Sequence, residues 1–391
     1  MDLKRILQIA VQGGASDIHL KVGLPPMFRV NGALLPLRDA ERLNPEDTAD
    51  VAKQIMTSGQ QNKFRDSLDI DLAYGVPGLG RFRVNAFVQR GTVGLVFRVI
   101  PFKIQTIEDL LLPPVVRSIA DNRRGLVLVT GATGSGKSTT LAAMIEHINT
   151  TRTDHIVTIE DPIEFLIRDK RCIVNQREVG ADAKTFALAL RAALRQDPDV
   201  ILVGEMRDIE TMEIAITAAE TGHFVVSTLH TVDAAETISR ILSAFPVHQQ
   251  RQVRLQLAGL LKGVISQRLV PRADRKGRVP AVEVMVSTGQ IRELIINEAT
   301  GREITDAVAK GHQQWGSQTF DQSMMSLLRN GHITYEEAIS QSSNPDDFAL
   351  RYSGIESTES SSNWQDFDKA TPSAEEEDAL FDDEDFSIER F

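Results

Sequence analysis

Four short runs, 126–129, 156–159, 200–203 and 224–229, are almost continuously apolar, and stretches of helical spacing separate them. Strands that read this way are buried on both faces, as in a parallel sheet. Their alternation with helices predicts a doubly wound α/β domain over 115–345, with ligands beyond the carboxyl ends of its strands. The first hundred residues are patterned differently. Leu3, Ile6, Leu7 and Ala10 recur at helical spacing and predict a helix over 3–13. Strands are predicted at 70–74, 80–88 and 93–100. In the second of these, Phe82, Val84, Ala86 and Val88 alternate with Arg81, Arg83, Asn85 and Phe87, the period of a strand with one buried face. This assigns a smaller α+β domain to 1–100, and a proline-punctuated linker, 101–114, follows it.

Charge changes the picture at one end only. Of the 391 residues, 54 are acidic and 43 are Lys or Arg, a net charge of −11. Fifteen of the acids and three of the bases fall after Gln341, from Asp346 to Phe391, which leaves 39 acids against 40 bases in the rest. The body is neutral and 346–391 reads as a disordered acidic tail. Trp364, Phe367, Phe381, Phe386 and Phe391 are interspersed with its acids, the composition of a short docking motif or of a plain solvated tail. A neutral body without a basic stripe argues against a nucleic-acid partner. No apolar run approaches the roughly 18 residues of a membrane span, so no direct membrane insertion is expected. The apolar stretch 6–11 is interrupted by Gln8 and is too short for a signal peptide, which makes the cytoplasm the expected compartment. The single cysteine, Cys172, excludes an internal disulfide framework and reads as a half-buried strand residue.

The chemistry begins where the run 126–129 ends. Residues 131–138, Gly-Ala-Thr-Gly-Ser-Gly-Lys-Ser, fit G-x-x-x-x-G-K-[ST]. Gly131, Gly134 and Gly136 let backbone N–H groups turn inward around phosphate oxygens, where a Cβ would obstruct. Ala132, Thr133, Ser135 and Thr139 complete the cradle. Lys137 adds a point charge for the β- and γ-phosphates, and the Ser138 hydroxyl can ligate Mg²⁺. The helix beginning here points its positive end at the same anion. ATP and Mg²⁺ are the implied cofactors. Hydrolysis also needs the metal held, water positioned and charge neutralised. Glu205, just past the run 200–203, can hold Mg²⁺ directly or through water. The segment 158–164 places Glu160, Asp161 and Glu164 after another strand, with Glu164 chosen to position water. His230 follows the run 224–229 and could sense the γ-phosphate; His223, at the opposite end, reads as structural.

These segments carry a resemblance. Residues 131–139, 158–164, 194–208 and 218–231 look like the Walker A, Asp box, Walker B and His box of the secretion-type ATPase superfamily. Within it the chain is most similar to the PilT family, the type IV pilus retraction ATPases. The stretches Gly14-Ala15-Ser16-Asp17-Ile18-His19-Leu20, Arg81-Phe82-Arg83-Val84-Asn85, 175–182 and Val264-Ile265-Ser266-Gln267-Arg268-Leu269 are similar too. The likeness runs over about 1–340. It implies a PAS-like N-terminal domain, a RecA-like P-loop NTPase domain and a ring-shaped homohexamer powering pilus retraction and twitching motility. It further implies an inner-membrane platform protein as partner and peripheral association with that membrane. By the same resemblance Glu164 is the catalytic carboxylate, Glu205 the Walker B carboxylate and His230 the γ-phosphate-linked residue. Arg83 and Arg98 correspond to arginines that reach a nucleotide.

Two departures stand out. Ala132 replaces a common proline, and the family segment Ala-Ile-Arg-Asn-Leu-Ile-Arg-Glu is here Gln290-Ile291-Arg292-Glu293-Leu294-Ile295-Ile296-Asn297, without its final Arg-Glu pair. With the tail, this keeps open a PilU-like accessory subunit working beside a paralogous retraction ATPase, or a nucleotide-binding ring subunit with little hydrolysis. Assembly ATPases, which usually carry a four-cysteine metal site, fit less well.

Overall fold

The computed structural model describes residues 2–30, 32–38, 40–100 and 104–353. The chain divides into two units. One comprises 1–106 with 138–206 and 213–218; the other comprises 107–137 with 207–212 and 219–391.

The first unit opens with a helix, Leu3–Gln12, whose buried residues are Leu3, Ile6, Leu7 and Ala10. Asp2 caps it by accepting from the Arg5 amide. Six strands follow: β1 (Asp17–Leu20), β2 (Met27–Val30), β3 (Ala33–Pro36), β4 (Asp69–Val76), β5 (Gly80–Gln89) and β6 (Thr92–Val99). They form an antiparallel sheet in the order β3-β2-β1-β6-β5-β4. Phe82, Val84 and Ala86 of β5 are fully buried, while Arg83 between them is exposed, so the sheet has one apolar face. Phe82 meets Phe97 of β6 edge-on, with ring centroids 6.4 Å apart. The helices Pro45–Ile55 and Ser58–Ser67 each begin with a capping box, Asn44 with Asp47 and Thr57 with Gln60.

A second sheet has seven strands: β7 (Gly125–Thr130), β8 (His155–Glu160), β9 (Ile173–Glu178), β10 (Val200–Val203), β11 (Phe224–Leu229), β12 (Leu261–Pro271) and β13 (Arg278–Val286), in the order β13-β12-β7-β11-β10-β8-β9. In the first unit β10, β8 and β9 are parallel. In the second, β11 and β12 flank β7 in parallel and β13 closes the edge antiparallel. Every residue of β7, β10 and β11 is buried, as continuous apolar runs require. The second unit also carries an apolar cluster in which Phe320, Met324, Met325, Ile333 and Phe348 pack with Val270 and Val279.

Three differences from the sequence reading have physical causes. β9, β12 and β13 do not read as uninterrupted apolar runs: four of the six residues of β9 are polar and β12 carries Lys262, Ser266, Gln267 and Arg268. Cys172 lies in the bend before β9, not within a strand, and is 2% exposed. Its Sγ accepts from the Asp154 amide and donates toward the Ile148 and Arg152 carbonyls, which fills the site. Residues assigned to the tail from Asp346 onward begin as a helix, Pro345–Tyr352, capped by Asn344 and seated by the buried Phe348. The tail from 354 to 391 lies outside the described residues.

Replacing Phe82 by Ala should cost about 3–5 kcal/mol, because a fully buried ring is lost from a closed core. Urea denaturation followed by far-UV circular dichroism should show the earliest transition at lower urea. An unchanged midpoint would show that this sheet does not depend on the aromatic pair.

Candidate functional site

The loop after β7 is built from what its neighbours leave no room for. Gly131, Gly134 and Gly136 have φ of 141°, 79° and 93°, a region in which L side chains are strained. A Cβ on Gly131 would stand 2.4 Å from the Gln267 carbonyl oxygen and 2.6 Å from Ser135 Oγ. Only glycine fits there. Ala132, Thr133 and Gly134 are exposed, whereas Ser135 and Lys137 are buried. Lys137 Nζ donates to the Gly131 and Ala132 carbonyls at 2.8 and 3.0 Å, so its ammonium is folded against the loop it belongs to. Ser135 Oγ is buried and without a hydrogen-bond partner, leaving a donor to give to a bound anion. Ser138 and Thr139 are half-buried in the first turn of the helix Lys137–Thr151. A glycine cradle, an ammonium, an orphaned hydroxyl and a helix start together suit a phosphate.

The acidic segment after β8 is organised within the first unit. Glu160 ends β8 and accepts from Thr158 Oγ1 at 2.6 Å and Gln176 Nε2 at 3.0 Å. Burial pushes its carboxyl up, against the pull of those donors. Glu164 is exposed. The intervening loop is anchored by Glu178 at the end of β9. Its Oε2 accepts from the Ile163 amide at 3.2 Å and from Arg81 Nη2 at 3.1 Å. Sequence reasoning chose Glu164 and passed over Glu160, Glu178 and Arg81; the 175–182 motif was the available signal. Glu205 is half-buried one residue past Gly204. A Cβ on that glycine would meet the Ile159 carbonyl at 3.2 Å, so the ends of β10 and β8 approach closely.

His230 directly follows β11 and is exposed, and Thr231 behind it is buried. Thr231 Oγ1 and Thr237 Oγ1 share a hydrogen bond of 2.6 Å, and Asp233 caps the helix Ala234–Ala244. The Ala234 amide donates to Glu283 Oε1 of β13 at 2.8 Å. Burial pushes Glu283 up to about 7; the Ala234 amide and Arg268 oppose this, while Asp233 and Asp321 add to it. His223 precedes β11, where its carbonyl accepts from the Gly125 amide.

Arg83 and Arg98 are register partners on β5 and β6, both exposed. Asp17, opposite Arg98 on β1, accepts from Arg98 Nε at 2.9 Å, and Arg29 Nε lies 3.9 Å from it. Burial alone would raise the Asp17 carboxyl, but hydrogen bonds from Arg98 and Ser16 outweigh it and hold it below its ordinary value. One carboxylate thus orients an arginine in a row of three. In the altered segment, the helix Gly289–Ile296 buries Ile291 and Ile295, and Arg254 donates to the Ile295 carbonyl.

The model of the family described as Type II/IV secretion system protein matches residues 1–340. The type IV pilus retraction ATPase PilT of Pseudomonas aeruginosa is 47% identical over 353 residues, covering 89% of this chain and 100% of PilT. The type IV pilus ATPase PilU of the same organism is 41% identical over 350 residues, covering 90% of this chain and 91% of PilU. The crystal structure of the pilus retraction motor PilT with bound ADP superimposes with a TM-score of 0.80 at 46% identity, covering 89% of this chain and 98% of that one. The chain belongs to the type II/IV secretion system protein family, and it has the α/β fold of the PilT motor. Among the described residues no helix is long and apolar enough to cross a membrane.

The raised Glu283 carries a signed prediction. Its folded pKa, about 7, lies above the ordinary 4.5, so its contribution to stability is full below about pH 4.5 and is lost as pH rises through about 7. Glu283→Gln keeps an acceptor for the Ala234 amide and cannot ionise. Melting curves from about pH 5 to 8 should show the variant gaining on wild type as pH rises; parallel curves would contradict the burial of this acid.

Proposed function

We propose that the chain is the ATP-hydrolysing motor of a type IV pilus, driving retraction and hence twitching motility. The observation that carries this is likeness to PilT over PilT's entire length, joined to a loop in which a Cβ on Gly131 would strike the Gln267 carbonyl and in which Gly134 and Gly136 hold positive φ. On this reading 115–345 is a RecA-like P-loop NTPase domain, 1–100 a PAS-like domain joined through 101–114, and 346–391 an acidic tail. The residues 131–139 bind the ATP phosphates, with Lys137 leaving its own loop carbonyls for the β- and γ-phosphates. Ser138 and Glu205 offer the hard oxygen ligands that Mg²⁺ prefers, and the ion would supply charge neutralisation on the phosphate oxygens. Glu164 orients water, with its loop held through Glu178 and the Ile163 amide. His230 reports on the γ-phosphate through the Thr231–Thr237 hydrogen bond to the following helix. Arg98, oriented by Asp17, and Arg83 neutralise charge in the transition state, a role worth on the order of 10³–10⁵ in rate where arginines supply it.

The motor is assigned to a homohexamer acting on an inner-membrane platform protein, associated with that membrane only peripherally. The similarity to PilU supports a second reading, an accessory retraction ATPase beside a paralogue. Steady-state hydrolysis by the purified chain tests the proposal. Lys137→Ala and Glu205→Gln should each lower kcat/KM by at least about 100-fold. Wild-type turnover no higher than that of Glu205→Gln would refute hydrolysis as the chain's activity.

A further inference from the structure

The glycine-rich loop has a floor that its motif does not include. Gln267 of β12 is 2% exposed, and its Nε2 donates to the Ser135 carbonyl at 2.7 Å. Its backbone oxygen is the atom a Cβ on Gly131 would strike, and its Nε2 lies 3.0 Å from where a Cβ on Gly136 would be. One residue therefore underlies the loop at three points. Its placement is fixed by the sheet. β12 lies parallel to β7 with Ser266 opposite Thr130, and Thr130 Oγ1 donates to Ser266 Oγ at 2.9 Å in a buried contact. All of these residues lie in the second unit, apart from the helix that follows Lys137.

The chemistry of a peptide plane gives this contact a consequence. In a trans peptide the carbonyl and the next N–H point in opposite directions. With the Ser135 carbonyl drawn onto Gln267, the Gly136 N–H is turned away from β12. Gly136 can hold that plane because its φ is 93°. The other end of the glutamine amide, Oε1, is buried without a hydrogen-bond partner. A buried acceptor left unpaired is unfavourable, so the favourable polar contact of this side chain is the one its donor makes. The Ser135 hydroxyl is likewise buried without a hydrogen-bond partner. The loop therefore keeps one backbone N–H oriented and one hydroxyl uncommitted before any ligand arrives.

We infer that Gln267 is a positioning residue for the nucleotide's β-phosphate: it clamps the Ser135–Gly136 peptide so that the Gly136 N–H faces the anion. This rests on the reading of 131–139 as the nucleotide-phosphate loop. It goes beyond that reading by assigning discrimination between nucleoside diphosphate and monophosphate to a residue on a different strand.

The test uses the full chain and two variants, Gln267→Met, of similar length but without a donor, and Gln267→Glu, of the same shape with a carboxylate against the Ser135 carbonyl. Affinities for ADP and AMP are measured by calorimetry, alongside the melting temperature without nucleotide. In Gln267→Met the preference for ADP over AMP should fall about tenfold, the scale of one hydrogen bond, while AMP affinity and the melting temperature hold. The loss should be larger in Gln267→Glu. An unchanged ADP-to-AMP ratio in either folded variant would overturn the assignment. So would equal losses for both nucleotides, or failure of both variants to fold, since each makes Gln267 a core residue only. Failure of the wild-type chain to bind ADP would refute the nucleotide reading itself.

Discussion

A strand buried on both faces has no polar surface except at its ends, and this constraint fixes where chemistry can occur here. β7, β10 and β11 are buried at every position. The residues singled out in the sequence lie just past the strand ends: Gly131 directly after β7, Glu205 two residues past β10, His230 directly after β11. The loop after β7 takes its shape from the same close packing. β12 approaches β7 so tightly that the Gln267 carbonyl occupies the space of any Gly131 side chain. Gly131 and Gly136 answer to the sheet as much as to a ligand.

Charge in the first unit is arranged by a similar economy of partners. Glu178 serves two donors with one oxygen, Arg81 Nη2 and the Ile163 amide, so the antiparallel sheet and the loop bearing Glu164 share an anchor. Asp17 divides its two oxygens in the arginine row, Oδ1 accepting from Arg98 Nε and Oδ2 lying 3.9 Å from Arg29 Nε. Both carboxylates are buried, so loss of an arginine partner would leave a buried charge less well compensated.

The legibility of the sequence follows from what each residue's contacts depend on. Strands β7, β8, β10 and β11 were readable because full burial leaves an uninterrupted apolar run, and β5 because one-sided burial leaves alternation. β12 was not readable this way, since Ser266 and Gln267 are buried through hydrogen bonds to Thr130 and Ser135, partners more than a hundred residues away in the chain. The glycine-rich loop was legible because its chemistry is local. The hydrogen bond from the Ile163 amide to Glu178, and the burial that raises Glu160, depend on tertiary neighbours that the spacing of 158–164 does not carry. The residues Arg83 and Arg98 were named by resemblance; that Asp17 orients Arg98 needed the register of β1 on β6.

The central claim is that hydrolysis in this chain shortens pili. Time-lapse imaging of fluorescently labelled pili in the host cell, with the chromosomal gene carrying Glu205→Gln, tests it most directly. The account predicts pili that extend normally and do not retract, with the variant protein present at wild-type level. Retraction at the wild-type frequency and speed would contradict it.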